Sequence, residues 1–192
     1  MSASATNTAF ASQAAFRAVM EAFARPGEIR TLREVAAPAP LAPATAALVQ
    51  ALADYETPIW LDQAFADASA VSGWIRFHTG ASIVKDARDA AFALIADPLA
   101  LPDFAAFALG SEDYPDRSTT LIVQVARFEG AALILQGPGI KGTRSLAAAP
   151  LPDDFAERLR ANRELFPRGV DLVLVAGAQV AALPRSVRLM EV

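Results

Sequence analysis

The sequence predicts an α/β fold of three layers, α/β/α, with a mixed sheet covered on both faces. Segments with helical apolar spacing alternate with short apolar runs of strand length along the chain. The run at residues 170–176 is apolar nearly throughout, as expected of a strand buried on both faces. The 192 residues suit a single domain, 1–192, able to bury roughly 70% of its unfolded surface. Residues 1–11, polar and small, read as a flexible N-terminal extension.

Taken in order, Phe16, Val19, Met20 and Phe23 share one helical face, which predicts a helix over 12–24. Ser12 is its candidate cap and Pro26-Gly27 its stop. Ile29 and Leu32 suggest a short strand. Pro38, Pro40 and Pro43 then mark a rigid surface connector, because proline fixes φ and removes a donor. Residues 45–53 read as an alanine-rich helix, 54–57 as a polar turn and 58–61 as a strand. Phe65, Ala68, Val71 and Ile75 predict a helix over 64–77, leaving through His78-Thr79-Gly80. A buried strand at 90–95, a short helix at 102–109 and a polar loop at 110–117 follow. Strands at 119–125 and 131–136, with Glu129-Gly130 between them, predict a hairpin. A glycine-rich loop occupies 137–142. A helix over 152–165 has acids near its start and arginines later, matching the helix dipole. The strand at 170–176 has expected antiparallel companions at 180–183 and 187–190.

Composition excludes several chemistries. There is no cysteine, hence no disulfide, thiol nucleophile, cysteine zinc site or cysteine-held iron–sulfur cluster. His78 is the sole histidine, so no multi-histidine metal site forms within one chain. The net charge of −4 argues against nonspecific nucleic-acid binding. No basic stretch with a following apolar region opens the chain, and no apolar run reaches the ~18 residues of a membrane span. The expectation is a soluble cytoplasmic protein. Lys85 and Lys141 are the only lysines, so arginine supplies the other cations and suits forked contacts with phosphate or carboxylate oxygens.

Four segments offer chemistry. Gly137-Pro138-Gly139-Ile140-Lys141-Gly142 spells G-x-G-x-x-G after a strand, yet only seven residues separate Gly142 from Pro150, too few for a crossover helix. The alternatives are a turn whose amides meet an anion and a tight turn that needs positive φ. His78 stands near a helix end, where it either caps a carbonyl or serves catalysis, and Arg76 stands two residues away. Asp54 and Glu56 read as a solvated turn. Arg158, Arg160 and Arg163 read as a solvated helix face, while Arg185, in a Pro-Arg turn after a strand, is the better anion candidate.

The segments F-R-A-V-M-E-A-F-A-R-P-G, E-T-P-I-W-L, W-I-R-F-H-T-G, S-T-T-L-I, G-P-G-I, F-P-R-G-V-D-L-V-L-V-A-G and A-L-P-R come in that order between Phe16 and Arg185. Together they resemble the PhnH family of the bacterial phosphonate carbon–phosphorus lyase complex. Ser82 departs from the pattern, where a proline is expected soon after H-T-G.

The resemblance implies a fold similar to the large domain of pyridoxal-phosphate-dependent transferases, without that cofactor. Neither Lys85 nor Lys141 lies in a recognisable cofactor-lysine context. It also implies a homodimer that joins subunits G, I and J. In that pathway an alkylphosphonate displaces adenine from ATP to give a ribose 1-phosphonate 5-triphosphate, and a separate iron–sulfur subunit later breaks the carbon–phosphorus bond. The expected role here is an essential non-catalytic subunit without metal or cofactor. Arg76, His78, Gly137, Gly139 and Arg185 are the candidates for a phosphonate or nucleotide-like anionic ligand. The competing readings are a stand-alone enzyme using His78 as acid or base on a phosphorylated ligand, and a degenerate pyridoxal-phosphate enzyme.

Overall fold

The most apolar runs form the middle of a seven-stranded sheet. The computed structural model describes residues 3–190. Along the chain lie α1 (Ala3–Ala24), β1 (Arg30–Thr31), α2 (Pro43–Leu52), β2 (Ile59–Leu61), α3 (Gln63–Ala66), α4 (Ser69–Thr79), β3 (Ile83–Val84), β4 (Phe92–Ile95) and β5 (Thr120–Gln124). β6 (Arg127–Gln136), β7 (Arg144–Ala149), α5 (Phe155–Glu164), β8 (Asp171–Ala176), β9 (Gln179–Leu183) and β10 (Arg188–Leu189) follow. The large sheet has the order β1-β9-β8-β5-β4-β2-β3, and a small sheet the order β10-β6-β7. β3, β2, β4, β5 and β8 pair in parallel, while β9 and β1 add antiparallel, so the sheet is mixed.

Strand alternation sorts the core into two clusters. Leu94, Ile122 and Val173 are neighbours in register and face one side with Val175. Ala93, Ile95, Leu121, Val123, Leu172 and Leu174 face the other. Each buried Leu, Ile or Val adds roughly 1.5–3 kcal/mol, so these central strands anchor the fold. On the first side lie α1, α2 and α4, through Ala15, Val19, Leu48, Val71 and Ile75. The second side is covered by Leu135 of β6, Leu146 of β7, Phe155 of α5 and the segment carrying Phe104 and Phe107. The covering of that face is therefore mixed: α5 shares it with the small sheet.

Several expectations need correction. α1 begins at Ala3, inside the segment read as an extension, so Ser12 is mid-helix and not a cap. Alanine is the strongest helix former and carries the helix upstream of the apolar spacing. The core-facing residues of α1 are Ala15, Val19 and Ala22, whereas Phe16 and Met20 point outward and are about half exposed. The helix expected over 64–77 is two helices. Asp67 Oδ1 accepts from Gln63 Nε2 at 2.6 Å and the chain restarts at Ala68, yet Phe65, Val71 and Ile75 all stay buried. In 102–109 only Phe104–Ala106 forms a turn, of 3-10 type, capped by Asp103, because both Phe104 and Phe107 must reach the same core.

The expected hairpin of strands 119–125 and 131–136 does not form, since β5 and β6 belong to different sheets. Val125 N donates to Val175 O at 2.8 Å, and the next residue, Ala126, donates to Ala149 O at 2.8 Å. Adjacent amides thus hold different sheets, and the chain turns a corner there. Glu129 and Gly130 lie inside β6, where its register with β7 shifts. β7 is a strand that local patterning does not predict, and residues 137–142 are the turn between β6 and β7. The segment 187–190 pairs with β6 through Arg188 and Leu189, not with β8.

Candidate functional site

α4 ends in the left-handed Gly80 (φ 74°), whose amide donates to Arg76 O at 2.9 Å. Thr79 Oγ1 donates to Ile75 O at 2.7 Å. Gly80 and Thr79 thus close the helix, and His78 is not its cap. Trp74 and His78, four residues apart, lie on one face with ring centroids 4.3 Å apart. Phe77 meets the imidazole edge-on at 5.0 Å. His78 Nδ1 lies 3.0 Å from Gln50 Nε2 on α2. An amide nitrogen only donates, so in this contact Nδ1 is the acceptor. No carboxylate orients this ring among the described residues. Phe77 is 84% exposed and Tyr55, beside Gly80, 75% exposed. Arg76 is exposed and makes no ion pair among the described residues. The arrangement is a cluster of aromatic rings at the end of a helix that also carries an exposed arginine.

Gly137 and Gly139 are explained by packing. A Cβ on Gly139 (φ 80°) would stand 2.0 Å from Ala24 O at the end of α1, and one on Gly137 would stand 3.1 Å from Ser186 O. No helix opens after this turn, so the dinucleotide pattern is coincidental. No hydrogen bond, ion pair or ring contact joins it to Arg76 or His78 among the described residues, whereas Gly137 packs against Ser186, the residue after Arg185.

Arg185 is fully engaged within the chain. Its backbone N and its Nε donate to Asp171 Oδ1 at 2.8 and 3.1 Å. Nη2 meets Asp171 Oδ2 and Ser118 Oγ, and Nη1 donates to Pro115 O at 2.6 Å and Pro167 O at 3.4 Å. The fork ties the loop before β5 and the turn before β8 to the end of β9. Arg158 is likewise no solvated surface residue: it pairs with Asp154 at 2.9 Å and donates to Leu101 O at 2.7 Å. Asp54 Oδ1 accepts from Glu56 N at 2.9 Å and from the Thr57 hydroxyl at 2.8 Å, consistent with the polar turn.

Open α/β sheets bind ligands outside the carboxyl ends of their strands, where successive connections leave on opposite faces. Here that point lies between β2 and β4: β2 leaves through α4 on the first side, and β4 through Phe104 and Phe107 on the second. Asp62, at the end of β2, is only 4% exposed. It accepts from Phe65 N at 3.0 Å, Ala96 N at 2.8 Å and Asp97 N at 3.0 Å. Nearby, Gln124 at the end of β5 donates to Pro40 O at 3.0 Å and accepts from Ala42 N at 2.7 Å, holding the proline connector across that strand end. Sequence reasoning missed both residues, since a lone Asp or Gln after an apolar run looks like an ordinary helix cap or solvated end.

Among the described residues no group of three or more His, Asp or Glu side chains is placed to hold a metal ion. No helix there is long and apolar enough to cross a membrane. Residues 3–190 match the family described as bacterial phosphonate metabolism protein (PhnH). The chain belongs to the PhnH family. This agrees with the resemblance carried by the ordered segments from Phe16 to Arg185. The chain is 47% identical over 182 residues to the alpha-D-ribose 1-methylphosphonate 5-triphosphate synthase subunit PhnH of Rhizobium meliloti (strain 1021), covering 94% of this chain and 90% of that one. It is also 42% identical over 80 residues to the putative C-P lyase subunit protein HtxG of Stutzerimonas stutzeri, covering 41% of this chain and 40% of that one.

Proposed function

We propose that this PhnH-family chain is a non-catalytic subunit of the carbon–phosphorus lyase core complex, supporting conversion of an alkylphosphonate and ATP to a ribose 1-phosphonate 5-triphosphate. The observation that carries it is 47% identity, across nearly the full length of both chains, to a protein named as a subunit of that synthase. Two features of the fold favour a supporting role. At the strand ends where such sheets take ligands, Asp62 is committed to three backbone amides and Gln124 to the proline connector, and large aromatic side chains stand exposed in the patch on and beside α4.

In this reading the chain is cytoplasmic, forms a homodimer and joins subunits G, I and J. The outer face of α1, with Phe10, Phe16 and Met20 exposed, supports the dimer contact. Phe77 on α4 and Tyr55 beside Gly80, both exposed, support docking of another subunit, because exposed aromatics dominate interface energies. The similarity to the large domain of pyridoxal-phosphate-dependent transferases belongs to this proposal too, as does the ligand role of Arg76 and His78. Gly137, Gly139 and Arg185 have structural duties that already account for them.

Co-expression with candidate subunits G, I and J of the same genome, followed by native mass spectrometry, tests the reading. It predicts a stable assembly holding two copies of this chain. A chain that stays alone beside an assembled G–I–J complex overturns it, and turns attention to stand-alone chemistry by His78.

A further inference from the structure

A groove of about 540 Å³ opens between the β6–β7 turn, the end of α5 and β10, on residues that the proposed subunit role does not use. Gln136, Gly137 and Pro138 form one wall, Arg163 and Phe166 a second, and Ser186 and Arg188 a third. The volume lies in the range of small-molecule sites. Of the residues singled out in the sequence for an anion, only Gly137 borders it.

The charge pattern is the informative feature. The chain carries a net −4, yet this lining holds two arginines and no carboxylate. Arg30, Arg144, Arg158 and Arg185 are all tied to acids. Arg163 and Arg188 have no acidic partner among the described residues. The Arg163 guanidinium carbon sits 4.6 Å from the centre of the Phe166 ring, and its Nε is shielded from water without an acceptor. Stacking holds the fork flat, and its two terminal nitrogens carry no hydrogen bond among the described residues. Gln136 and Ser186 add neutral donors, and neither side chain is tied up by a hydrogen bond among the described residues. Phe166 is 51% exposed and offers an apolar wall beside the cations.

We propose that this groove binds a phosphoryl or phosphonyl group carried on a small apolar or planar organic part. Two guanidinium groups from separate elements match the charge and several oxygens of such a dianion better than the single charge of a carboxylate. The organic part lies against Phe166.

Isothermal titration of the purified chain with phenyl phosphate tests this, with inorganic phosphate and benzoate as comparison probes. The expected result is saturable binding of phenyl phosphate that weakens with salt and exceeds that of benzoate. Arg188→Gln and Arg163→Gln should each weaken it about tenfold or more, with circular dichroism confirming the fold. Phe166→Ala should weaken phenyl phosphate while leaving inorganic phosphate unchanged. Arg127→Gln, on the exposed part of β6, should bind as the parent does. Absent binding, or equal binding by Arg188→Gln, overturns the inference. Because the measurement uses the chain alone, failure here leaves the subunit reading standing, and failure of complex assembly leaves the groove standing.

Discussion

Arg185 and Asp171 meet side-on across the ends of β9 and β8, with Nε on Oδ1 at 3.1 Å and Nη2 on Oδ2. The same guanidinium reaches Pro115 O, Pro167 O and Ser118 Oγ, so one side chain ties two loops to its own turn. Arg185→Ala should lower unfolding free energy by roughly 2–4 kcal/mol, because it strands a largely buried carboxylate and two carbonyls. Arg185→Lys should recover little, since an ammonium cannot reproduce the fork. Urea denaturation measures both, and a loss below about 0.5 kcal/mol would show that the fork is dispensable to the fold.

Asp62→Ala removes the acceptor for three backbone amides at the crevice. The expected cost is roughly 2–4 kcal/mol, seen as a lower melting temperature. Asp62→Asn keeps one oxygen but turns an amide NH₂ toward a donor, so it should fall between. A melting temperature unchanged in Asp62→Ala would mean that water replaces the carboxylate and that the crevice is accessible.

Two of the three glycines in the β6–β7 turn separate strain from collision. Gly142→Ala (φ 74°) meets nothing within 4 Å and should cost about 1 kcal/mol for its left-handed backbone. Gly139→Ala drives a methyl into Ala24 O and should cost about 3 kcal/mol or more. Equal melting temperatures for the two variants would refute the packing account of this turn.

Phe77→Ser should leave the isolated chain's stability within about 0.5 kcal/mol, because the ring is 84% exposed. In the proposed assembly it should raise the dissociation constant about tenfold or more, as loss of an aromatic anchor does. Surface plasmon resonance against the co-purified subunits reads this directly. Unchanged affinity moves the docking surface away from α4.

Much of the chain was legible locally. The stop at Pro26-Gly27, the exit at Gly80 and the buried runs in β4, β5 and β8 follow from rules acting within a few residues. The ordered segments sufficed for the family. The errors share a cause. Residues 119–136 look like a hairpin, but Val125 and Ala126 send neighbouring amides to different sheets. Nothing local distinguishes that corner from a turn. Arg158 and Arg185 looked like free cations because their acceptors are carbonyls of loops up to 70 residues away.

What the sequence determined by itself was periodicity, the breaks marked by glycine and proline such as Pro26-Gly27 and Gly80, the chemistries ruled out by composition, and the family. What the tertiary structure alone decided was which strand joins which sheet and which cations keep a free face. Hydrogen bonds and ion pairs act over about 3 Å and in fixed directions, so a donor's engagement depends on groups that only folding brings near. Arg144 finds Glu28 and Arg185 finds Ser118 in this way, whereas Arg163 and Arg188 find no acid among the described residues and face an open groove.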